Sequence, residues 1–114
     1  MLFEELDEYI KDVKKLTKRY RTLIQDIEIV KKILIVNPKE KPPFSYRINN
    51  LGIETCIVKV KKIASRSFKG KGIHSGFRLV YALFNNENKI IFIEIYHKSN
   101  KENEDRERIL KNFE

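Results

Sequence analysis

The residues best suited to chemistry lie in two apolar runs in the second half of the chain. Arg78 interrupts the run FRLVY, and His97 follows the run KIIFIEIY, directly after Tyr96 and before Lys98. Arginine presents a planar, permanent cation that can bind a phosphate through two parallel hydrogen bonds. Histidine offers both a neutral and a protonated form near pH 7. These residue types therefore indicate chemistry at a phosphate.

One phosphate reaction needs only side chains of this kind. When a ribose 2′-hydroxyl attacks its own phosphodiester, one group takes the proton, another protonates the leaving oxygen, and cations stabilise the developing charge. His, Lys, Arg and Tyr can fill these roles without a metal ion. Two simpler interpretations stay open: Arg78 as an exposed strand residue paired with an acid such as Glu94, and His97 as a surface histidine in a turn.

Motifs for cofactors and metals are missing from the sequence. The GKG at 70–72 lacks the second half of a P-loop, and no GxGxxG precedes a predicted helix. His74, His97 and Cys56 are too few and wrongly spaced for a zinc site. No acid stands near a Ser-His pair, as a hydrolase triad would require. We therefore expect no cofactor and no metal.

Positive charge is concentrated in residues 41–83. This segment holds nine Lys/Arg and one acid, which leaves 15 of the 24 basic and 15 of the 16 acidic residues for the rest of a chain whose net charge is +8. Such a concentration is typical of a polyanion site, and the simpler interpretation is a solvated strand face with a flexible loop. The candidate nucleic-acid-binding residues are Lys59, Lys61, Lys62, Arg66, Lys69, His74 and Lys98.

Helical periodicity marks two segments near the N-terminus. Apolar residues recur at helical spacing through 4–19 and 22–36, and the short join between them predicts an antiparallel helical hairpin. Ser99 and Glu102 have the spacing of a capping box, which predicts a last helix over about 101–112. Because this last helix is mostly charged, we expect it to be weakly attached or to await a partner.

Strand patterns account for most of the remaining chain. Apolar and polar alternation, or an unbroken apolar run, predicts three antiparallel strands, over 55–64, 77–84 and 89–96. Residues 85–88 have the composition of a turn, 2–4 suit a short leading strand, and 37–54 suit an irregular connection. The chain is thus predicted to form one α+β domain over 1–114. The helical hairpin would cover one face of a small antiparallel sheet and leave the other face for function.

Composition suits a protein of the reducing cytoplasm. The chain has no apolar run long enough to cross a bilayer, and its start, MLFEELDEYI, lacks the basic region of a secretory signal. Cys56 is the single cysteine and can form no internal disulfide. We expect cytoplasmic localisation and no membrane association.

The stretches KGKGIHSGFRLVY and IYHKSNKENE, together with the helical segment FEELDEYIKDVKKLTKRYRTLIQDIEIVKKIL, resemble the RelE/ParE superfamily of toxins from toxin–antitoxin modules. The resemblance covers nearly the whole chain. It implies a RelE-like fold, in which a helical hairpin packs on a small antiparallel sheet and a short C-terminal helix follows.

The resemblance also implies a function and partners. Many members of this superfamily are ribosome-dependent mRNA endoribonucleases, a branch inhibits DNA gyrase, and each is neutralised by a cognate antitoxin. We expect an mRNA interferase that meets the ribosome and mRNA. A gyrase inhibitor and an inactive toxin-like binding protein are the alternatives. The antitoxin would be acidic and partly disordered, and the assembly a homo-oligomer or a toxin–antitoxin hetero-oligomer.

Site residues carry over where the motifs match. The resemblance places Arg78 on the scissile phosphate, Lys71 as the loop lysine and Lys61 as a basic strand residue. Tyr96, His97 and Lys98 occupy the end of the last strand, where members vary among aromatic, His and basic residues. The sequence departs from the pattern in two places: Ile73-His74 lengthens the loop, and the last helix has no tyrosine. The candidate catalytic residues are Arg78, His97, Lys71 and Tyr96.

Strand pairing makes a geometric prediction about this set. Antiparallel pairing through the turn at 85–88 places residue 78 opposite residues 95 to 97. We therefore expect Arg78 and His97 to share one end of the sheet, beside the loop that carries Lys69 and Lys71.

Overall fold

The computed structural model describes residues 1–114 and contains three helices and one five-stranded sheet. The elements in chain order are β1 (Leu2–Glu5), α1 (Asp7–Thr17), α2 (Leu23–Val36), β2 (Ser45–Arg47), β3 (Cys56–Val60), β4 (Phe77–Phe84), β5 (Lys89–His97) and α3 (Arg106–Phe113). The predicted α+β class is confirmed. None of the helices combines the length and apolarity needed to cross a bilayer.

The sheet is mixed, with the strand order β1-β5-β4-β3-β2. β1 runs parallel to β5, with Leu2 opposite Lys89, while the other three pairs are antiparallel. The prediction of a purely antiparallel sheet was wrong. β1 and β5 are the first and last strands of the chain, and no hairpin turn joins them, so their pairing is not restricted to the antiparallel direction that a tight turn imposes.

The hairpin of α1 and α2 covers one side of the sheet, which we call the hairpin face. Acidic residues in the first turn of α1 and lysines in its last turn complement the helix dipole. The buried residues of the hairpin meet every second residue of the strands. This core contains Tyr9, Leu23, Ile27, Val30 and Leu34 from the helices and Val58, Val60, Phe77, Leu79, Tyr81 and Phe92 from the sheet.

The opposite side of the sheet, the α3 face, is not left open as predicted. Ile109 of α3 is fully buried there against Val80, Ala82 and Ile93. Arg108 ties the helix further, because its Nη1 lies 2.7 Å from Asp12 Oδ2 and donates to the Ile93 carbonyl at 2.9 Å. The expectation of a weakly attached last helix was therefore wrong.

The predicted capping box does not form. α3 begins at Arg106 with Asp105 as its N-cap, whose side chain accepts from the Arg108 amide at 3.0 Å. The Ser99 hydroxyl instead contacts His97 Nδ1 at 2.7 Å. This competing contact with the side chain of a buried residue two positions earlier removes Ser99 from the capping role.

The strands around the predicted site follow the sequence closely, with small differences. β4 spans the predicted residues, β5 is one residue longer, and β3 ends at Val60 rather than at 64. The connection over 37–54 is not wholly irregular, because β2 forms within it. A register shift between Val80 and Tyr81 gives β5 one extra residue, so Val80 pairs with Glu94 and Tyr81 with Phe92.

Candidate nucleic-acid interface

The central strands bring part of the predicted set together on the α3 face. Arg78 pairs directly with Tyr96 across β4 and β5, and its Nη1 donates to the Lys61 carbonyl at 3.1 Å. Two residues further along β4, Val80 pairs with Lys59 of β3. Since alternate residues of a strand share a face, Lys59, Lys61, Arg78 and Tyr96 lie side by side. We call Lys59, Lys61 and Arg78 the cationic cluster.

The cationic cluster carries more positive charge than its neighbours neutralise. Lys59 Nζ lies 2.6 Å from Glu104 Oε1, whereas Lys61 and Arg78 form no ion pair. Arg78 Nη1 donates only to the carbonyls of Lys61 and Phe77. The alternative interpretation of Arg78, a pair with Glu94, was therefore wrong. Both free cations can accept an anionic partner.

The environment shifts the proton affinity of Lys61. Burial lowers the pKa of its ammonium below the ordinary 10.5, and the positive charges of Lys59 and Arg78 lower it further. Its Nζ lies 5.1 Å from the centre of the Tyr46 ring, at cation–π distance. A lysine whose pKa is lowered gives up its proton more readily, as a general base requires.

The pKa of Tyr96 is shifted upward, in the opposite direction to that of Lys61. Burial, followed by the negative charges of Glu104 and Glu94, raises the pKa of its phenol to about 12. Its hydroxyl is buried and has no hydrogen-bond partner. Tyr96 therefore keeps its proton at neutral pH and can offer it to an oxygen that reaches the α3 face. The two pKa shifts move Lys61 and Tyr96 toward complementary roles.

His97 lies on the hairpin face, away from Arg78. Its ring stacks on Tyr20 and Phe68, and only 6% of the residue is exposed. Arg78 and His97 share one end of the sheet, as expected, but they lie on opposite faces, so phosphate binding by Arg78 and proton transfer by His97 do not meet there. The register pairs Arg78 with Tyr96, and the next residue of a strand points to the other face.

Both ring nitrogens of His97 have partners within the protein. Nε2 lies 2.8 Å from the Ser75 carbonyl, and Nδ1 receives the Ser99 amide at 3.1 Å. Gly76, whose φ is +94°, packs so closely that an added Cβ would lie 2.7 Å from Nε2. The hydrogen bonds and this contact make His97 a packing residue that joins β5 to the start of β4.

The loop between β3 and β4 folds back on the helical hairpin. Asp26 of α2 is buried and accepts hydrogen bonds from the Ser65 hydroxyl at 2.6 Å and the Thr22 hydroxyl at 2.9 Å. Arg66 and Lys69 line a groove beside α2. These two cations are thus separated from the cationic cluster by the sheet.

The remaining predicted residues are spread around the surface. Lys71, His74 and Lys98 are exposed. Lys62 is partly buried and lines an apolar groove with Phe44. The structure therefore brings together Lys59, Lys61, Arg78 and Tyr96, and leaves Arg66, Lys69, Lys71, His74, Lys62, Lys98 and His97 outside that group.

Three residues of the α3 face were missed by reasoning from the sequence. Tyr46 contacts Lys61, Glu104 binds Lys59, and Lys101 binds Glu94 and lies 5.0 Å from the Tyr96 ring centre. The polar and apolar alternation of residues 45–48 could have predicted the strand that carries Tyr46. No local signal marks Glu104 or Lys101, because their positions depend on the path of the chain before α3.

Neither a metal-binding group nor a match to a known protein helps to interpret this site. No three His, Cys, Asp or Glu side chains are grouped so that they could hold a metal ion. No protein-family model matches the chain, no curated protein matches it, and no solved structure matches it.

Proposed function

We propose that this protein is a RelE-like toxin that acts in the cytoplasm and cleaves mRNA on the ribosome. The observation that supports this function best is the cationic cluster, in which Lys61 and Arg78 carry no paired acid and lie beside the unpartnered Tyr96 hydroxyl. A phosphodiester fits this arrangement because it brings negative charge and hydrogen-bond acceptors together.

The side chains divide the reaction among them. Arg78 binds the scissile phosphate and stabilises its developing charge. The deprotonated fraction of Lys61, which its lowered pKa enlarges, takes the proton of the 2′-hydroxyl. The 2′-oxygen forms a bond to phosphorus as the bond to the 5′-oxygen breaks. Tyr96 donates its proton to that leaving oxygen, and the proton on Lys61 returns through solvent to Tyr96. The products are a 2′,3′-cyclic phosphate and a 5′-hydroxyl.

Removing Arg78 tests the proposal. Arg78→Ala should reduce cleavage of ribosome-bound mRNA by about 10²-fold or more, as for the loss of a transition-state charge partner. Arg66→Ala is the matched control, because it removes an exposed arginine on the opposite side of the sheet. The control should cleave within about threefold of the parent, and circular dichroism should show both variants folded.

Three results would count against this function. Equal cleavage by Arg78→Ala and the parent would remove the arginine from the site. If the parent leaves ribosome-bound mRNA intact and lowers supercoiling by DNA gyrase, the protein is a gyrase inhibitor. If it does neither, it is a toxin-like binding protein without enzymatic activity.

An apolar surface on α2 supports an acidic partner. Ile29, Ile33 and Val36 are exposed along α2 and line grooves with Phe44. The charged residues that line the grooves around Phe44 are all lysines: Lys32, Lys41 and Lys62. We propose that an acidic, partly disordered antitoxin folds an amphipathic segment onto this surface. α3 is too firmly held to be the element displaced.

A designed helical peptide with leucine at every fourth position and glutamate elsewhere is a suitable probe of this surface. It should bind the parent and lose about tenfold or more in affinity with Ile33→Lys, which places a charge in the groove. Ile24→Lys is the control, since Ile24 is exposed on α2 but lies outside these grooves. Equal loss in both variants would contradict the assignment. Concentration-dependent dimerisation that Ile33→Lys abolishes would assign the surface to a second copy of the chain.

A further inference from the structure

The chain between β5 and α3 crosses directly over the α3 face. We call residues 98–105 the crossing segment. Lys101 Nζ binds the buried Glu94 carboxylate, and the Asp105 amide donates to Glu94 Oε1 at 2.9 Å. Between these two contacts, Glu104 reaches the cationic cluster at Lys59. The crossing segment thus lies across the surface that the proposed substrate would use.

The Glu104 contact is well shielded. The two side chains are only 10% and 14% exposed, and their charged atoms lie 2.6 Å apart. Burial by itself would raise the pKa of Glu104. The hydrogen bond from Lys59, a backbone hydrogen bond and the positive charges of Lys59 and Arg106 together outweigh burial and hold that pKa below 4.5. Glu104 is therefore ionised at neutral pH, and it is the one acid that pairs with a member of the cationic cluster.

We propose that Lys59 is a phosphate subsite and that the Glu104 carboxylate occupies it in the free protein. The inference rests on the proposed function, because it assigns the subsite to a phosphodiester of bound RNA. Carboxylate and phosphate oxygens both accept charged hydrogen bonds from an ammonium group. An RNA phosphate can therefore replace Glu104 at Lys59 without leaving a buried cation unpaired.

This exchange also explains how substrate reaches Tyr96. The Tyr96 hydroxyl is buried in the free protein, and Lys101 of the crossing segment lies 5.0 Å from the centre of the Tyr96 ring. Withdrawal of the crossing segment together with Glu104 would open the α3 face beside Tyr96. Binding at Lys59 would thus precede proton donation by Tyr96, and the crossing segment would exclude water until RNA is bound.

Neutralising the carboxylate tests the subsite without any cleavage assay. The probe is a short oligouridylate, and its affinity is measured by fluorescence anisotropy at several salt concentrations. Glu104→Gln should bind it about fivefold more tightly, because no carboxylate has to leave Lys59. The log–log salt slope should stay within about 0.3 of the parent, because the Lys59–phosphate contact forms in both complexes. Glu102→Gln is the control, because it removes the same charge from an exposed position of the crossing segment. The control should change affinity by less than about twofold.

The outcomes separate the subsite from the enzymatic function. Equal affinity gains in both variants, or none in Glu104→Gln, would overturn the subsite and show a structural ion pair. Tighter binding by Glu104→Gln without cleavage of ribosome-bound mRNA by the parent would keep the subsite and refute the endoribonuclease. If Glu104→Gln does not fold, Glu104→Asp retains the charge on a shorter side chain. A gain in affinity over the parent would support the exchange, because the shorter carboxylate holds Lys59 less well, and no gain would contradict it.

Discussion

The salt dependence of RNA binding should identify which cations meet the phosphates. Lys61 and Arg78 are the unpaired members of the cationic cluster. Each phosphate contact on a single strand contributes about −0.7 to the slope of log affinity against log salt. Replacing both residues by glutamine should therefore make the slope shallower by about 1.4. Between about 50 and 200 mM salt, the parent should lose roughly sevenfold more affinity than the double variant.

Fluorescence anisotropy with an oligouridylate measures this difference directly. Lys14→Gln combined with Lys15→Gln is the control, because it removes the same charge from two exposed positions of α1. The control should leave the slope within about 0.3 of the parent. If the two double variants flatten the slope equally, the net charge of the chain governs binding and the α3 face is not the interface.

Three further predictions concern the core, the general base and the histidine. Ile109→Ala should lower the free energy of unfolding by about 2–5 kcal/mol in urea titrations, because the Ile109 side chain is fully buried between α3 and the sheet. Deletion of 100–114 should unfold the chain for the same reason, and a folded truncated chain would contradict this. The parent's single-turnover cleavage rate should rise with pH as Lys61, whose pKa lies below 10.5, loses its proton. Lys61→Arg should cleave slowly, at a rate that does not change between about pH 6 and 9, and a pH profile equal to the parent's would exclude Lys61 as the base. His97→Gln should lower the melting temperature, because it removes the stacked ring, yet it should cleave within about threefold of the parent per folded molecule. A loss of cleavage rate near 10²-fold would return His97 to a catalytic role.

Short-range patterns in the sequence predicted most of the helices and central strands. The spacing of apolar residues identified the hairpin, and alternation identified β4 to the residue. These features are local, since a helix or strand face repeats within a few positions. The cationic alternation of residues 59–61 was likewise enough to place Lys59 and Lys61 on one strand face.

The register of β4 and β5 was only partly determined by the sequence. Turn composition placed residue 78 opposite 95 to 97, and the structure selects Tyr96. A difference of one residue moves a side chain to the other face of the sheet, so this small uncertainty decided whether His97 or Tyr96 accompanies Arg78. In the observed register His97 lies on the hairpin face, where it forms its hydrogen bonds to Ser75 and Ser99.

Tertiary structure alone decided what lies over the cationic cluster. Glu104 and Lys59 are 45 residues apart, and no local pattern links them. The sequence indicated a capping box at Ser99, but a buried polar group must find a partner. The buried His97 therefore binds the Ser99 hydroxyl, and the buried Glu94 binds Lys101 and the Asp105 amide. That competition delays α3 to Arg106, and residues 98–105 cross the α3 face as a turn followed by irregular backbone. The sequence by itself determined which residues are basic and which strands carry them, whereas long-range pairing determined which of them are neutralised and which remain free to bind an anion.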